Sequence, residues 1–300
     1  MKTLRALLIL GRVSNLPTVW SNCLAGWLLG MPEIKLEFID WPSFALMTGG
    51  ASLIYLGGMF LNDACDVAWD REHRPERPIP SGAISESTVW KIGIGLLAVG
   101  LFCLALPGGV TAVLALLLFN FIFIYDLMHK RLAWSWVLMA ACRFFLLLLA
   151  ASYAHACGLD SRPFFQSEIA GLACWSALVL ALYVGGLTCL AKVESAPGVA
   201  ARWPCLLMLT PVMVTLLFNN GAYRETGVMA SAILALWILR SIRSTYWQTP
   251  PDIGRTVGAL LAGIVLVNLM STAHAPREMA LVFIGLFLTA LAAQRWVPAT

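Results

Sequence analysis

The chain has 300 residues, 60% hydrophobic and 12% charged, with a mean hydropathy of +0.80. A soluble domain of this size sits nearer half apolar, whereas apolar runs of about 20 residues, the length that crosses a bilayer as helix, recur here from end to end. A soluble protein is therefore excluded. The net charge of +4 is modest and spread over short loops, which argues against nucleic acid as a partner and suits anionic headgroups or substrates.

The opening stretch, MKTLRALLILGR, is basic and then briefly apolar. Arg12 interrupts the run and no small-residue cleavage site follows, so the segment is expected to stay on the mature protein. Ten spans are predicted, at about 13–31, 42–62, 87–106, 109–127, 132–153, 167–190, 203–219, 226–244, 255–273 and 277–296. Pro107-Gly108-Gly109, Gly158 with Pro163, Pro197-Gly198, Asn219-Asn220-Gly221, Pro250-Pro251 and Pro276 punctuate them. No run alternates with period two, which excludes a β-barrel. The expected fold is all-α, a polytopic membrane bundle of nine to ten helices, the tenth being the weakest span. With no long polar linker, a single domain over 1–300 is expected, with a cytoplasmic acidic loop at about 62–82 and a second cap loop at about 191–202.

Of the 20 Lys and Arg residues, 15 fall on the N-terminus, the C-terminus and alternate connections, and only 4 on the other connections. By the positive-inside rule both termini are then cytoplasmic. The eight cysteines are scattered with no C-x-x-C pair, so neither a disulfide framework nor a zinc site is expected. The 12 tryptophans lie mostly near span ends, as interfacial belts do.

The densest charge in the chain is Asn62 to Gly82, NDACDVAWDREHRPERPIPSG. Asp63, Asp66 and Asp70 stand at i, i+3 and i+7, one face of a helix, where like charges repel. Grouped hard oxygens at the mouth of a membrane domain suit Mg²⁺, which takes one or two carboxylates and bridges to substrate phosphates. Arg74 and Arg77 follow and suit bidentate phosphate contacts, and Asn62 completes the lining. Pro78 and Pro80 predict a stiff extended exit that positions Arg77. A merely solvated loop would need no order in this spacing.

Asn-Asp-x-x-Asp-x-x-x-Asp at 62–70, followed by Arg77-Pro78-Ile79-Pro80-Ser81-Gly82, resembles the first signature of the UbiA superfamily of intramembrane prenyltransferases. Tyr125-Asp126-x-x-x-Lys130-Arg131 resembles the family's Tyr…Lys-Arg segment, and Gly11-Arg12 with Asn15 and Thr18 its first helix; SNLPTVWSNCLAGWLL is similar to the EboC-like branch of bacteria. The resemblance implies a bundle of about nine helices around a cavity in the bacterial inner membrane, open sideways to lipid. It implies that Asn62, Asp63, Asp66 and Asp70 hold Mg²⁺ and the diphosphate of an isoprenyl donor. Arg77, Lys130 and Arg131 would contact phosphate, Tyr125 would position the donor, and a hydrophobic or aromatic acceptor would take the isoprenyl group.

The family's second Asp-rich motif is missing. Its expected aspartates fall at Ala191 and Ser195, leaving Lys192 and Glu194 as the charges of that stretch. Glu194, with Asp126, is one candidate to hold a second ion; Lys192 is a candidate fixed charge on the diphosphate; or transfer is lost and the protein is a non-catalytic binding or export component. Arg143, about twelve residues inside its span, is expected to face a cavity and contact an anionic substrate or Asp126. His73 and His129 flank the two signatures; each is a candidate to bind phosphate or shuttle a proton, with exposure in a loop as the expectation. Gly185-Gly186 predicts a close helix approach.

Overall fold

The computed structural model describes residues 2–158, 162–192, 201–218 and 224–299. Among these residues the chain forms thirteen α-helices and no strand. They are α1 Lys2–Leu10, α2 Leu16–Leu29, α3 Trp41–Cys65, α4 Val67–His73, α5 Glu86–Ala105, α6 Gly109–Met128, α7 Ser135–Cys157, α8 Ile169–Ala191, α9 Pro204–Met208, α10 Thr210–Phe218, α11 Arg224–Tyr246, α12 Ile253–Ser271 and α13 Arg277–Ala293. Helices suit a chain in lipid because each satisfies its own backbone hydrogen bonds.

Seven of them, α3, α5, α6, α7, α8, α11 and α12, are long and apolar enough to cross a membrane. The all-α membrane bundle is thus borne out, but the count of nine to ten spans is not reached by these seven. The remaining three expected spans fall on shorter elements: α2 with 14 residues, the α9–α10 pair, and α13 with 17 residues. The chain breaks between α9 and α10 next to Pro211, which has no N–H to continue the ladder. The first expected span begins late as well. Arg12 takes a left-handed backbone (φ 42°, ψ 49°), and 13–15 form a 3-10 turn before α2 starts. That backbone costs a non-glycine residue roughly 1–2 kcal/mol.

Local caps set the other starts. Asp40 accepts from the Ser43 N–H ahead of α3, Ser85 from the Thr88 N–H ahead of α5, and Asp252 from the Arg255 N–H ahead of α12. Each side-chain oxygen satisfies one backbone donor that the first helical turn leaves open.

Helix α7 lies at the centre, against α2, α6 and α8; α3 packs on α5, and α12 on α2, α8, α11 and α13. Glycines permit close helix approaches. A Cβ at Gly26 would lie 2.5 Å from the Leu147 carbonyl oxygen of α7, and one at Gly186 would lie 2.6 Å from the Pro204 oxygen. The approach expected at Gly185-Gly186 is therefore real: Gly186 meets α9, and Gly185 meets Trp136 of α7. Large apolar side chains on α5, α6, α11 and α13, such as Phe102, Leu116, Leu236 and Leu281, remain exposed at the bundle surface. Such a surface is stable when lipid covers it. All eight cysteines are free.

Candidate active site

The three aspartates sit where α3 ends and α4 begins. Asp63 is in the last turn of α3, Asp66 is the residue between the helices, and Asp70 is in α4. The hydrogen-bond ladder runs through the junction: the Asp66 N–H reaches the Asn62 oxygen at 3.0 Å, and the Asp70 N–H the Asp66 oxygen at 2.9 Å. All three carboxylates are buried. In lipid or protein such groups need cations or hydrogen-bond donors.

The cations come from three separate segments. Arg77 Nη1 donates to Asp63 Oδ1 and to Asp70 Oδ2, each at 3.1 Å. Arg12 Nη2 lies 3.5 Å from Asp63 Oδ1. Asp66 points elsewhere, to Lys130 Nζ at 2.8 Å and His129 Nε2 at 3.3 Å beyond the end of α6. The aspartates therefore do not share one face, as their spacing predicted. Asp63 and Asp70 meet on Arg77, and the bend at Asp66 turns its side chain toward α6. Burial pushes the Asp66 carboxyl up, but the hydrogen bonds and charges of His129 and Lys130 outweigh it and hold it below the ordinary carboxylate range. For Arg12, burial disfavours the charge, and Asp63 together with Tyr55, Tyr125 and Asp66 more than compensates.

Arg77 is held by a folded turn, where the two prolines had predicted an extended exit. The Ser81 N–H bonds to the Arg77 oxygen and the Ala83 N–H to the Pro78 oxygen, both at 3.0 Å, and Gly82 supplies a φ of 75°. Ile79 drives the fold-back by burying itself among Leu10, Phe60, Val67 and Val89. Trp69 forms a platform next to this turn. It stacks on His73 with ring centroids 4.3 Å apart, and Lys130 Nζ sits 4.3 Å above its ring.

Several candidates take other positions. Arg74 lies over Trp69 at 5.8 Å, and Arg131 is exposed; among the described residues neither makes an ion pair. Asn62 Nδ2 donates to Asp126 Oδ1 at 3.3 Å, so it ties α3 to α6. Tyr125 stacks on His129 at 5.0 Å. Asn15 donates to the Ala299 oxygen at 3.0 Å. Arg143 makes no ion pair with Asp126; it donates to Asn22 Oδ1 at 2.9 Å and to Thr18 Oγ1 at 3.0 Å, both on α2. It nevertheless lines, with Asp126 and Tyr125, an apolar cleft of about 70 Å³ between α2, α3, α6 and α7. Lys192 donates to the carbonyls of Leu132 and Ala133, at 3.1 and 2.8 Å. Burial pulls its pKa down. Glu194 lies outside the described residues. His73 is exposed as expected, whereas His129 is drawn onto Asp66.

Two further cluster members, Arg12 and His129, are named in the sequence without being placed at the aspartates: Arg12 stands in the stretch that resembles the family's first helix, and His129 is a candidate to bind phosphate or shuttle a proton. The backbone turn at Arg12 that brings its side chain to Asp63 leaves no trace in composition or periodicity.

Among the described residues, no three His, Cys, Asp or Glu side chains are arranged to hold a metal ion. The donor set still fits a hard divalent cation. Asp63 and Asp70 already converge on one cationic nitrogen, and Asp70 Oδ1 is buried with no hydrogen-bond partner. Asp63 and Asp70 are the residues that would hold such a cation. Asp126 Oδ2, beside the cleft, is likewise buried without a partner.

These features define a multi-pass integral membrane protein with a charge-matched acidic cluster at one end and an apolar cleft beneath it. The UbiA prenyltransferase family matches residues 19–264, and the chain belongs to that family. The digeranylgeranylglyceryl phosphate synthase of Metallosphaera sedula is 40% identical over 79 residues, 26% of this chain and 28% of that relative. The synthase of the same name from Ignicoccus hospitalis is 35% identical over 97 residues, 32% and 30% of the two chains. The match thus spans less than a third of the length of these curated relatives. The apo structure of a UbiA homolog from Aeropyrum pernix K1 aligns with a TM-score of 0.66 at 15% identity, over 87% of this chain and 97% of that one. A UbiA homolog from Archaeoglobus fulgidus bound to GPP and Mg²⁺ aligns with a TM-score of 0.50 at 16% identity, over 98% and 99%. These structural likenesses show the fold.

Proposed function

We propose that the chain transfers an isoprenyl group from an allylic diphosphate donor to a hydrophobic or aromatic acceptor within the membrane, with Mg²⁺ as cofactor. The observation that carries this reading is the convergence of Asp63 and Asp70 on one cationic nitrogen beside Asp66 and Lys130, above an apolar cleft. Family membership supports it, as does the fold neighbour that binds GPP and Mg²⁺.

In this reading Asp63 and Asp70 hold the metal, with Asp66 as the third carboxylate. When bound, Mg²⁺ neutralises negative charge on the diphosphate as the donor's C–O bond breaks. Arg77, displaced from the carboxylates, and Lys130 with Arg12 supply fixed positive charge to the leaving diphosphate. The cleft lined by Tyr125, Ile54, Leu118 and Met139 receives the first part of the isoprenyl chain and keeps water from the cation-like allylic carbon. The acceptor's nucleophilic atom forms the new bond to that carbon, diphosphate leaves with the electron pair of the broken C–O bond, and the proton displaced from the acceptor passes to the departing diphosphate. We place the protein in the bacterial inner membrane as one domain, N-terminus and acidic cluster at the cytoplasmic face.

The test is diphosphate release by the purified full chain in nanodiscs. Allylic diphosphates of several lengths are offered with a panel of aromatic and hydrophobic acceptors, with and without Mg²⁺. Metal-dependent release that Asp66→Ala removes from a folded protein is the expected result. Donor binding without release would overturn transfer and favour the non-catalytic binding or export role that the missing second aspartate motif allows.

A further inference from the structure

A second charged region lies at the end of the bundle built from α11, α12 and α13. There a cavity of about 1140 Å³ is lined by Arg240, Arg243, Arg255 and Arg295, with no Asp or Glu in its lining. Its volume exceeds the roughly 300–1,000 Å³ of ordinary small-ligand pockets. None of the four arginines makes an ion pair among the described residues. The nearest acid in sequence, Asp252, accepts the Arg255 N–H as the cap of α12.

Topology explains part of this charge, because arginines collect in loops on one side of a membrane. It does not explain the gathering. Arg255 stands in the first turn of α12, the positive end of the helix dipole, where a cation is disfavoured. Placing three more guanidinium groups around the same space adds repulsion with no carboxylate to offset it. All four arginines are exposed at the cavity wall, so water screens part of this repulsion, and an anion among them would offset the remainder. The rest of the lining points to its nature. Trp247 is 69% exposed at the rim, as an interfacial anchor would be, and Trp237 lies deeper, its Nε1 bonded to the Ala259 oxygen.

We propose that this four-arginine vestibule is an anion site separate from the aspartate cluster, and that it holds the phosphate-bearing headgroup of a membrane amphiphile. Guanidinium groups grip phosphate oxygens in bidentate fashion. A basic pocket between membrane helices, with tryptophan at its rim, suits a headgroup whose chains remain in the bilayer.

The purified full chain, in detergent, is titrated with phosphatidic acid, with phosphatidylcholine and with geranylgeranyl diphosphate, and bound adducts are counted by native mass spectrometry. Phosphatidic acid is expected to be retained at least fivefold better than phosphatidylcholine. Arg240→Gln with Arg255→Gln is expected to reduce that retention at least fivefold. The control, Arg5→Gln with Lys91→Gln, removes two exposed cations outside the pocket and is expected to leave it within twofold. Geranylgeranyl diphosphate that persists in the pocket variant belongs to the aspartate cluster; geranylgeranyl diphosphate lost with the pocket arginines identifies the donor as the amphiphile. Equal retention of both phospholipids, or equal loss in the pocket and control variants, would overturn the proposal. Thermal melting of both variants separates a lost site from a lost fold. Should the double variant unfold, Arg295→Gln alone carries the same expectation at about twofold.

Discussion

Lys130 and Lys192 converge on the same short loop, 129–134, and end in opposite kinds of partnership. Lys130 projects from the loop to Asp66, at 2.8 Å. Lys192 reaches the loop from the end of α8 and donates to the carbonyls of Leu132 and Ala133. The first charge meets a charge, and the second meets two dipoles. At the α3–α4 junction every aspartate is paired, Asp63 and Asp70 sharing Arg77 and Asp66 taking Lys130, so an incoming cation or anion must exchange with a partner already there. At the end of α8, Lys192 instead clamps the loop that carries Lys130. In the proposed function the two ends then do different work: the aspartates and their cations would bind, and Lys192 would hold the loop of Lys130 in place.

The largest effect that would break this contrast is at the carboxylates. Removal of one preorganised electrostatic partner from an active site costs about 10²–10³ in rate. Asp63→Ala and Asp66→Ala are each expected to lower Mg²⁺-dependent diphosphate release by that range while the protein still melts cooperatively. Release within threefold of the parent chain would show that the cluster is structural.

Arg77→Gln sharpens the comparison. It leaves Asp63 with only Arg12 and Asp70 with no cation. Breaking a buried pair costs about 3–5 kcal/mol, and the Arg77 side chain, 17% exposed, places the effect at the lower end, about 3 kcal/mol. Because Arg77 occupies the point where Asp63 and Asp70 meet, Mg²⁺ should raise the melting temperature of the variant more than that of the parent. An equal Mg²⁺ response in both proteins would place the ion elsewhere.

Lys192→Ala is the matching test at the other end. Two charge-assisted hydrogen bonds to carbonyls are lost, each worth about 1.5–3 kcal/mol when buried and less here because the group is part exposed. The expected outcome is a lower melting temperature, with release per folded molecule reduced by about threefold or less through loosened placement of Lys130. A tenfold loss of release at unchanged melting would make Lys192 a direct contact to the diphosphate, one of the roles its place in the sequence suggested.

Much of this molecule is legible in the sequence, and the reasons are physical. Long apolar runs specify helices in lipid because nothing else satisfies the backbone there, so the spans of α3, α5, α6, α7, α8, α11 and α12 agree with expectation. Shorter elements escape that logic: α2, at 14 residues, is almost wholly buried among its neighbours, and α13, at 17, falls just short in length while most of its face stays uncovered. The acidic cluster was legible as composition: Asp63, Asp70 and Arg77 do come together, as do Lys130 and Asp66. Its pairing was not. The spacing rule assumes a straight helix, whereas the bend at Asp66 sends that side chain to α6. Arg143 shows the same limit. Its depth marked it correctly as a cavity residue, but its partners, Asn22 and Thr18, are neutral and more than a hundred positions away in sequence. Arg74 and Arg131 were assigned by adjacency alone, which says nothing of the side from which a turn presents a side chain.

The smallest expected effect is in pH, and it tests whether Asp66 is matched as described. Burial raises its pKa, while His129 and Lys130 lower it, and the balance lies below the ordinary value of 3.8. A carboxyl whose folded pKa is depressed adds stability above its unfolded pKa, and that contribution disappears as pH falls through the folded pKa. The parent chain should therefore be more stable than Asp66→Asn at neutral pH, and the gap should close as the buffer is taken below about pH 4. Because burial and pairing oppose each other, the gap should be smaller than that of Arg77→Gln, where nothing opposes the loss. A gap that widens at low pH would mean that Asp66 is not the paired carboxylate described here.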